Sequence, residues 1–393
     1  MKIAVLTSGI LPVPAVQGGA VENHLDFLLR YNTQHQLHDI TVYSVYDKGV
    51  DGHEDLRSSA NHYEYIHVDS LWAKIMKRFY HLTNKDGYYS YTIEYYFRQA
   101  WKRLRRQHYD IILLENRPGY ALSMDIPKET RLVVYLHNDF LNSDTRGCKE
   151  IYRKAWRIIT VSAYIANRVK TINRDDTKCI PILNGIDTQA FHPDRAMTID
   201  RSRLGLSERD FVIIFSGRIS PEKGIHELIS AMAALSAYPA IKLLIIGSPF
   251  YGNAKNEDSY VRALKQEAKQ IEDRIVFTGF IRYEQMPGYY NLADIAVVPS
   301  MWDDPCPFTV LEAQAAGLPI VTTKRGGIPE EVTEDNALLL STDETFIDRL
   351  AEAILHLYSH PEQRARMSAK ALANATKYTK QRLAEDFFQV INE

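Results

Sequence analysis

Short apolar runs rich in β-branched residues alternate along this chain with stretches whose apolar positions recur at helical spacing. Residues 2–8 (KIAVLTS) read as a first strand, a Gly/Pro-rich loop follows, and residues 20–30, with Val21, Leu25, Leu28 and Leu29 at helical spacing, read as a helix. Further strands are expected at 40–46, 65–68, 111–115, 132–137 and 158–162. Near 192–206 the pattern lapses into a polar, charged stretch containing Pro193, which reads as a linker. A second alternation then begins, with strands at 211–215, 242–246, 275–278, 295–298 and 319–322 and helices at 225–235, 260–271 and 309–316.

Continuous apolar strands between amphipathic helices imply parallel sheets covered on both faces. The expected architecture is therefore α/β, with two Rossmann-like doubly wound domains in tandem, 1–195 and 196–375, facing a cleft. An amphipathic segment at 382–391, within a tail of 376–393, is expected to return to the first domain. Ligands of such sheets bind outside the carboxyl ends of the strands.

A length of 393 residues supports two cores of ordinary size. The net charge of −2 gives no global reason to expect nucleic acid as a partner, so any basic surface is local. Three well-separated cysteines, Cys148, Cys179 and Cys306, fit neither a disulfide framework nor a zinc spacing and point to a reducing, cytoplasmic setting. No apolar stretch is long enough to span a bilayer, so any membrane contact is peripheral, at the inner face of the cell membrane. One segment, 71–108, interleaves aromatic residues with Lys and Arg. It suits an anionic membrane surface, or else a helix pair with core aromatics and solvated basic faces.

Candidate chemistry gathers at strand ends. Phe215-Ser-Gly-Arg-Ile-Ser-Pro-Glu-Lys-Gly224 follows one predicted strand, which puts Gly217, Arg218 and Lys223 where a pyrophosphate would meet a fork of donors and a point charge. The loop from Pro299 to Pro307 follows another and opens a helix, with Asp304 before it and Glu312 inside it. Backbone N–H groups of Phe308, Thr309 and Val310 would be free for a second phosphate, and both carboxylates suit sugar hydroxyls. Alternatively, Asp304 caps the helix and Glu312 lies on the surface. In the first half, His137 and Asn138 end a strand facing the expected cleft. Gly18 and Gly19 allow close backbone approach to phosphate or acceptor, and Arg117 is placed to reach an acceptor.

These marks, together with Asn184-Gly-Ile-Asp187 leading to Phe191 and Thr278-Gly279-Phe280, make the chain resemble glycosyltransferase family 4, retaining enzymes of the GT-B fold, over nearly its whole length. The opening LPVPAVQGGA is most similar to the branch of spore-coat SA-like proteins and surface polysaccharide enzymes. The resemblance implies that Arg218 and Lys223 bind a donor diphosphate, that Glu312 holds the ribose and that Phe280 and Ile281 face the base. It implies that Asp304 contacts the 3-OH and 4-OH of the transferred sugar, where the family usually has Glu, and that His137 lies beside that sugar. It further implies a front-side reaction with no metal or cofactor, a nucleoside-diphosphate sugar as donor, and a saccharide or lipid-linked saccharide as acceptor. Rivals are a nucleotide-sugar epimerase of the same fold and a non-catalytic coat or scaffold protein. A dinucleotide-dependent dehydrogenase is disfavoured, because Gly18-Gly19 lacks the G-x-G-x-x-G spacing.

Overall fold

The computed structural model describes residues 1–83, 91–195, 199–248 and 259–393. Tyr88 and Tyr89 of the basic aromatic segment, and residues 196–198 at the expected domain border, lie outside the described residues. The chain forms two units, Met1–Ile182 with Ala384–Glu393, and Leu183–Leu383.

In the first unit, seven parallel strands form one sheet: β1 (Lys2–Leu6), β2 (Asp39–Val45), β3 (Asn61–Ile66), β4 (Ile111–Glu115), β5 (Arg131–Leu136), β6 (Arg157–Thr160) and β7 (Cys179–Pro181). Their order is β3-β2-β1-β4-β5-β6-β7. Its helices are α1 (Ala20–His35), α2 (Leu71–Thr83), α3 (Tyr91–Leu104), α4 (Cys148–Lys154) and α5 (Ala163–Lys170). Every side chain of β4 is buried, as a central strand covered on both faces requires. Strand order reverses between β1 and β4, and that switch point is where α/β sheets take ligands.

The second unit begins with α6 (Thr188–Phe191) and carries six parallel strands: β8 (Phe211–Ser216), β9 (Ile241–Ile246), β10 (Ile275–Gly279), β11 (Ile295–Val298), β12 (Ile320–Thr323) and β13 (Ala337–Leu340). They lie in the order β10-β9-β8-β11-β12-β13, with the reversal between β8 and β11. Helices α7 (Ile225–Ala234), α8 (Ser259–Glu267), α9 (Met286–Tyr290), α10 (Phe308–Ala315), α11 (Ile328–Glu331), α12 (Phe346–Ser359) and α13 (Pro361–Ala375) complete it. Phe191 and Leu206, at the ends of the polar stretch, are buried in this unit's core.

The two tandem Rossmann-like sheets match the expected fold class. Three strands depart from the sequence reading. β3 shares only Tyr65 and Ile66 with the expected 65–68. It is an edge strand with half-exposed polar side chains, so it lacks the apolar run that marks a buried strand. β7 and β13 were not expected; both are short edge strands whose side chains are largely half-buried or exposed, so neither marks itself as a buried central strand.

The basic aromatic segment divides by helix. Tyr95, Tyr96 and Phe97 of α3 are core residues, and the Tyr96 hydroxyl donates to the Tyr43 carbonyl. On α2, by contrast, Leu71, Trp72, Ile75 and Leu82 are exposed. Among the described residues no helix is long and apolar enough to cross a membrane.

The last helix, α14 (Lys380–Asn392), carries the chain out of the second unit and ends in the first. There the Phe387 ring stacks 5.9 Å from Tyr135, and Phe388 lies 5.9 Å from Tyr31. Phe387→Ala should therefore cost about 3–5 kcal/mol of unfolding stability, the usual cost of deleting a buried ring. An unchanged denaturation midpoint in urea would show that this end of α14 contributes nothing to the first unit.

Candidate functional site

Two loops leave the second sheet side by side, because β8 and β11 are the neighbours at its switch point. The Arg/Lys loop runs from Gly217 to Gly224 and the carboxylate loop from Pro299 to Pro307. They are joined by a backbone hydrogen bond from Met301 N–H to the Glu222 carbonyl. Gly224 makes the approach possible: it sits at φ 73°, and a Cβ there would lie 1.8 Å from the Pro299 carbonyl oxygen.

On this frame Lys223 Nζ donates to Asp304 Oδ2 at 2.6 Å and lies 5.5 Å from the centre of the Trp302 ring. Arg218 pairs with Glu222 at 3.2 Å, one turn along its own loop. Thus Lys223 and Asp304, which the sequence assigned to different parts of a ligand, are in direct contact. Gly217 closes β8 beside them, at φ 143° with open space over its Cα.

Asp304 does not cap the following helix. Pro307 occupies the N-cap of α10, and no side chain caps it. Phe308 and Thr309, at the helix start, are half-buried. The Val310 N–H, expected to be free, donates to the Pro307 carbonyl. Glu312 is not a surface residue. It is 4% exposed and accepts a 2.7 Å hydrogen bond from the Tyr290 hydroxyl. Burial pushes its pKa up to about 7, against the lowering effect of that hydrogen bond. Phe280 and Ile281 follow β10, the first exposed and the second half-buried.

Behind the carboxylate loop lies a buried polar network that sequence reasoning missed. Asn184 donates to the Cys306 carbonyl at 2.8 Å, and Cys306 Sγ donates to Glu331 Oε1 at 3.2 Å. Asn374 bonds both Gln314 and the Glu331 carbonyl. Burial holds Glu331 well above the usual carboxyl range. The Asn-Gly-Ile-Asp motif serves the same frame, since Ile186 is fully buried and Asp187 accepts from the Ala190 N–H.

In the first unit the switch point is equally polar. Glu115 ends β4 and His137 follows β5; Nε2 of the imidazole lies 2.9 Å from Glu115 Oε2. The His137 ring is flanked by His24 at 4.8 Å and Tyr135 at 4.7 Å. Gly19 leads into α1 at φ 108°, and a Cβ there would lie 2.2 Å from Glu22 Oε2. Gly18 faces open space. Glu22 and Asp26, on the first turns of α1, are buried and each is raised to about 7 by desolvation. Arg117 lies over the Phe140 ring at 5.3 Å, and half-buried Asn138 accepts from the Phe140 N–H through its carbonyl. The sequence reading placed Glu115 as the last residue of an expected strand. A charged residue closing the apolar run IILLE was the available signal.

Comparisons with known proteins bear on the family and the fold. Residues 18–190 match the family model for Glycosyltransferase Family 4, and residues 197–373 that for Glycosyl transferases group 1. Spore coat protein SA of Bacillus subtilis is 28% identical, with 99% of each chain covered. The putative glycosyltransferase YtcC of the same organism is 29% identical, over 94% of this chain and 86% of the relative. Among solved structures, Anabaena HepE in complex with UDP and glucose superposes with a TM-score of 0.74, at 20% identity and with both chains fully covered. WaaG, a glycosyltransferase involved in lipopolysaccharide biosynthesis, gives 0.70 at 15% identity over 99% of each chain.

The buried carboxyls set a pH dependence. Glu22, Asp26 and Glu312 each hold a proton more tightly folded than unfolded, with values near 7 against ordinary ones of 4.5, 3.8 and 4.5. Their contribution to stability is complete below the ordinary carboxyl range and is lost as pH rises through 7. Tm should fall between pH 5.5 and 8.5, and Glu312→Gln should reduce that fall by on the order of 5 °C. A variant whose Tm tracks the wild type across this range would mean that Glu312 is ionised throughout.

Proposed function

Because this chain belongs to the glycosyltransferases whose halves are described by family 4 and group 1, we propose that it is a retaining transferase moving a sugar from a nucleoside diphosphate to a saccharide or lipid-linked saccharide in surface polysaccharide synthesis. The observation that carries this reading is the paired loops at the switch point of the second sheet, where Arg218, Lys223, Asp304 and the start of α10 converge. In this reading the second unit binds the donor. Arg218 and Lys223 take its diphosphate, and Lys223 exchanges its contact with Asp304 for a phosphate oxygen. Gly217 keeps the strand end open for close approach.

The N–H groups of Phe308 and Thr309, at the positive end of α10, add donors to the phosphate. Glu312, oriented by Tyr290, accepts from the ribose hydroxyls, and Phe280 and Ile281 border the base. Asp304 accepts from the 3-OH and 4-OH of the sugar. Its side chain is one methylene shorter than the Glu usual there, which shifts the sugar it selects.

In the first unit, Gly18 and Gly19 admit the phosphate or acceptor, His137 contacts the transferred sugar, and Asn138 and Arg117 serve the acceptor. The bond from the anomeric carbon to the phosphate oxygen breaks as the acceptor oxygen bonds to the same face. The acceptor's proton passes to the departing phosphate, whose charge Arg218 and Lys223 stabilise. No metal or other cofactor has a step in this scheme. The UDP and glucose bound by HepE support a nucleotide-sugar donor. A GDP-mannose-dependent monoacylated phosphatidylinositol monomannoside mannosyltransferase of Corynebacterium glutamicum, 29% identical over 58% of this chain, supports a lipid-linked acceptor.

A membrane-bound acceptor also gives α2 a role. Leu71 (79% exposed), Trp72 (63%), Ile75 (53%) and Leu82 (79%) form an apolar stripe beside exposed Lys74 and Arg78. Such a helix lies in the interface of an anionic leaflet. The protein then works at the cytoplasmic face of the membrane.

Arg218→Ala and Lys223→Ala should each lose about 2–4 kcal/mol of transition-state stabilisation, roughly 30- to 900-fold in kcat/KM. The substrates are first found by thermal shift against UDP, GDP and ADP sugars. The product should keep the donor's anomeric configuration by NMR. Free sugar from donor alone would point to an epimerase, and no nucleotide binding to a scaffold protein. Near-wild-type turnover of both variants would overturn the assigned roles. Separately, replacing Trp72 and Ile75 by Ser should abolish sedimentation with phosphatidylglycerol vesicles, whereas undiminished sedimentation would remove α2 as the anchor.

A further inference from the structure

Glu115 and His137 are brought together by strand register. β4 and β5 are neighbours, Glu115 is the register partner of Tyr135, and His137 lies just beyond the end of β5. The Glu115 side chain is fully enclosed and that of His137 is 6% exposed. Glu115 Oε2 meets Nε2, while Oε1 has no hydrogen-bond partner among the described residues. Asn116, held at φ 55°, accepts the His137 backbone N–H at 3.1 Å. With His24 and Tyr135 against its ring, the imidazole cannot turn over without losing these contacts.

At 2.9 Å one proton must lie between carboxyl and ring. The separation would suit an ion pair, but both groups are out of water. Desolvation pushes the Glu115 carboxyl up and the His137 imidazole down, so each is driven to its neutral form. A neutral pair has two arrangements, and the unpartnered Oε1 separates them: an Nε2–H donating to Oε2 would leave the acid proton on Oε1 with no acceptor, whereas an acid O–H on Oε2 donates to Nε2 and leaves the ring's own proton on Nδ1.

We propose that Glu115 is a positioning residue, whose buried acid hydroxyl donates to His137 Nε2 and thereby makes His137 a hydrogen-bond donor, through Nδ1–H, toward an oxygen of the transferred sugar. The inference rests on the reading of His137 as a sugar-facing residue. It deepens that reading by excluding His137 as the base, since a ring with Nδ1 protonated and Nε2 engaged has no lone pair for the acceptor's proton. This agrees with the proposed scheme, in which the acceptor's proton passes to the departing phosphate.

The test has a spectroscopic and a kinetic arm. In protein labelled with 15N-histidine, His137→Asn identifies the His137 signals. The wild type at pH 7 should show a protonated Nδ1 and an unprotonated Nε2; a protonated Nε2 overturns the proposal. Glu115→Gln keeps an N–H donor to Nε2, whereas Glu115→Met keeps the size and loses the donor. The Met variant should lie about 10- to 100-fold below the Gln variant in kcat, with acceptor KM little changed, as for loss of a supporting hydrogen bond. Equal kcat values for the two, both folded by thermal melt, overturn the positioning role. If His137→Ala keeps wild-type kcat, the sugar-facing reading fails, and the 15N spectrum still decides which nitrogen carries the proton.

Discussion

The contact between Lys223 and Asp304 expresses the constraint on which the second unit's site depends. Two loops that are 81 positions apart in sequence must leave adjacent strands at one edge and stay together. Parallel strands give both loops the same exit direction, and the switch point leaves room between them. Gly224 then allows backbone to touch backbone at Pro299, and the Met301–Glu222 hydrogen bond fixes the spacing. A cation and a carboxylate are thereby held at a fixed spacing on one sheet edge before any ligand enters.

Burial does the corresponding work for the carboxyl groups. Glu312 is seated by Tyr290 inside the core instead of swinging on the surface, so the protein itself fixes its direction. The Asn184–Cys306–Glu331 chain supports the carboxylate loop from behind, and Asn374 and Gln314 extend it across α10, α11 and α13. Each such group costs desolvation and each gains a fixed direction. The shifts toward neutrality at Glu22, Asp26, Glu115 and Glu312 are the mark of that exchange.

Both units place their polar clusters at the carboxyl ends of strands beside the reversal in strand order. In the first, the ends of β4 and β5 supply Glu115 and His137 while α1 supplies Glu22 and His24. In the second, the ends of β8 and β11 supply the cationic and acidic loops. The chemistry differs because the first cluster is enclosed and near neutral, whereas the second keeps Arg218 and Lys223 partly in water.

The sequence by itself determined the two α/β units, the central strands and the strand-end placement of Arg218, Lys223, Asp304 and His137, because apolar runs and turn residues are local signals. Edge strands escaped it: β3 is polar and half-exposed, and β7 and β13 are short and only partly buried. Only the tertiary structure decided that Lys223 meets Asp304, that Glu312 meets Tyr290 and that Glu115 meets His137. These pairs are set by strand order and register, which no local pattern encodes. The protonation of the buried members follows from the packing of distant segments around them, a property of the whole fold and not of any stretch of chain.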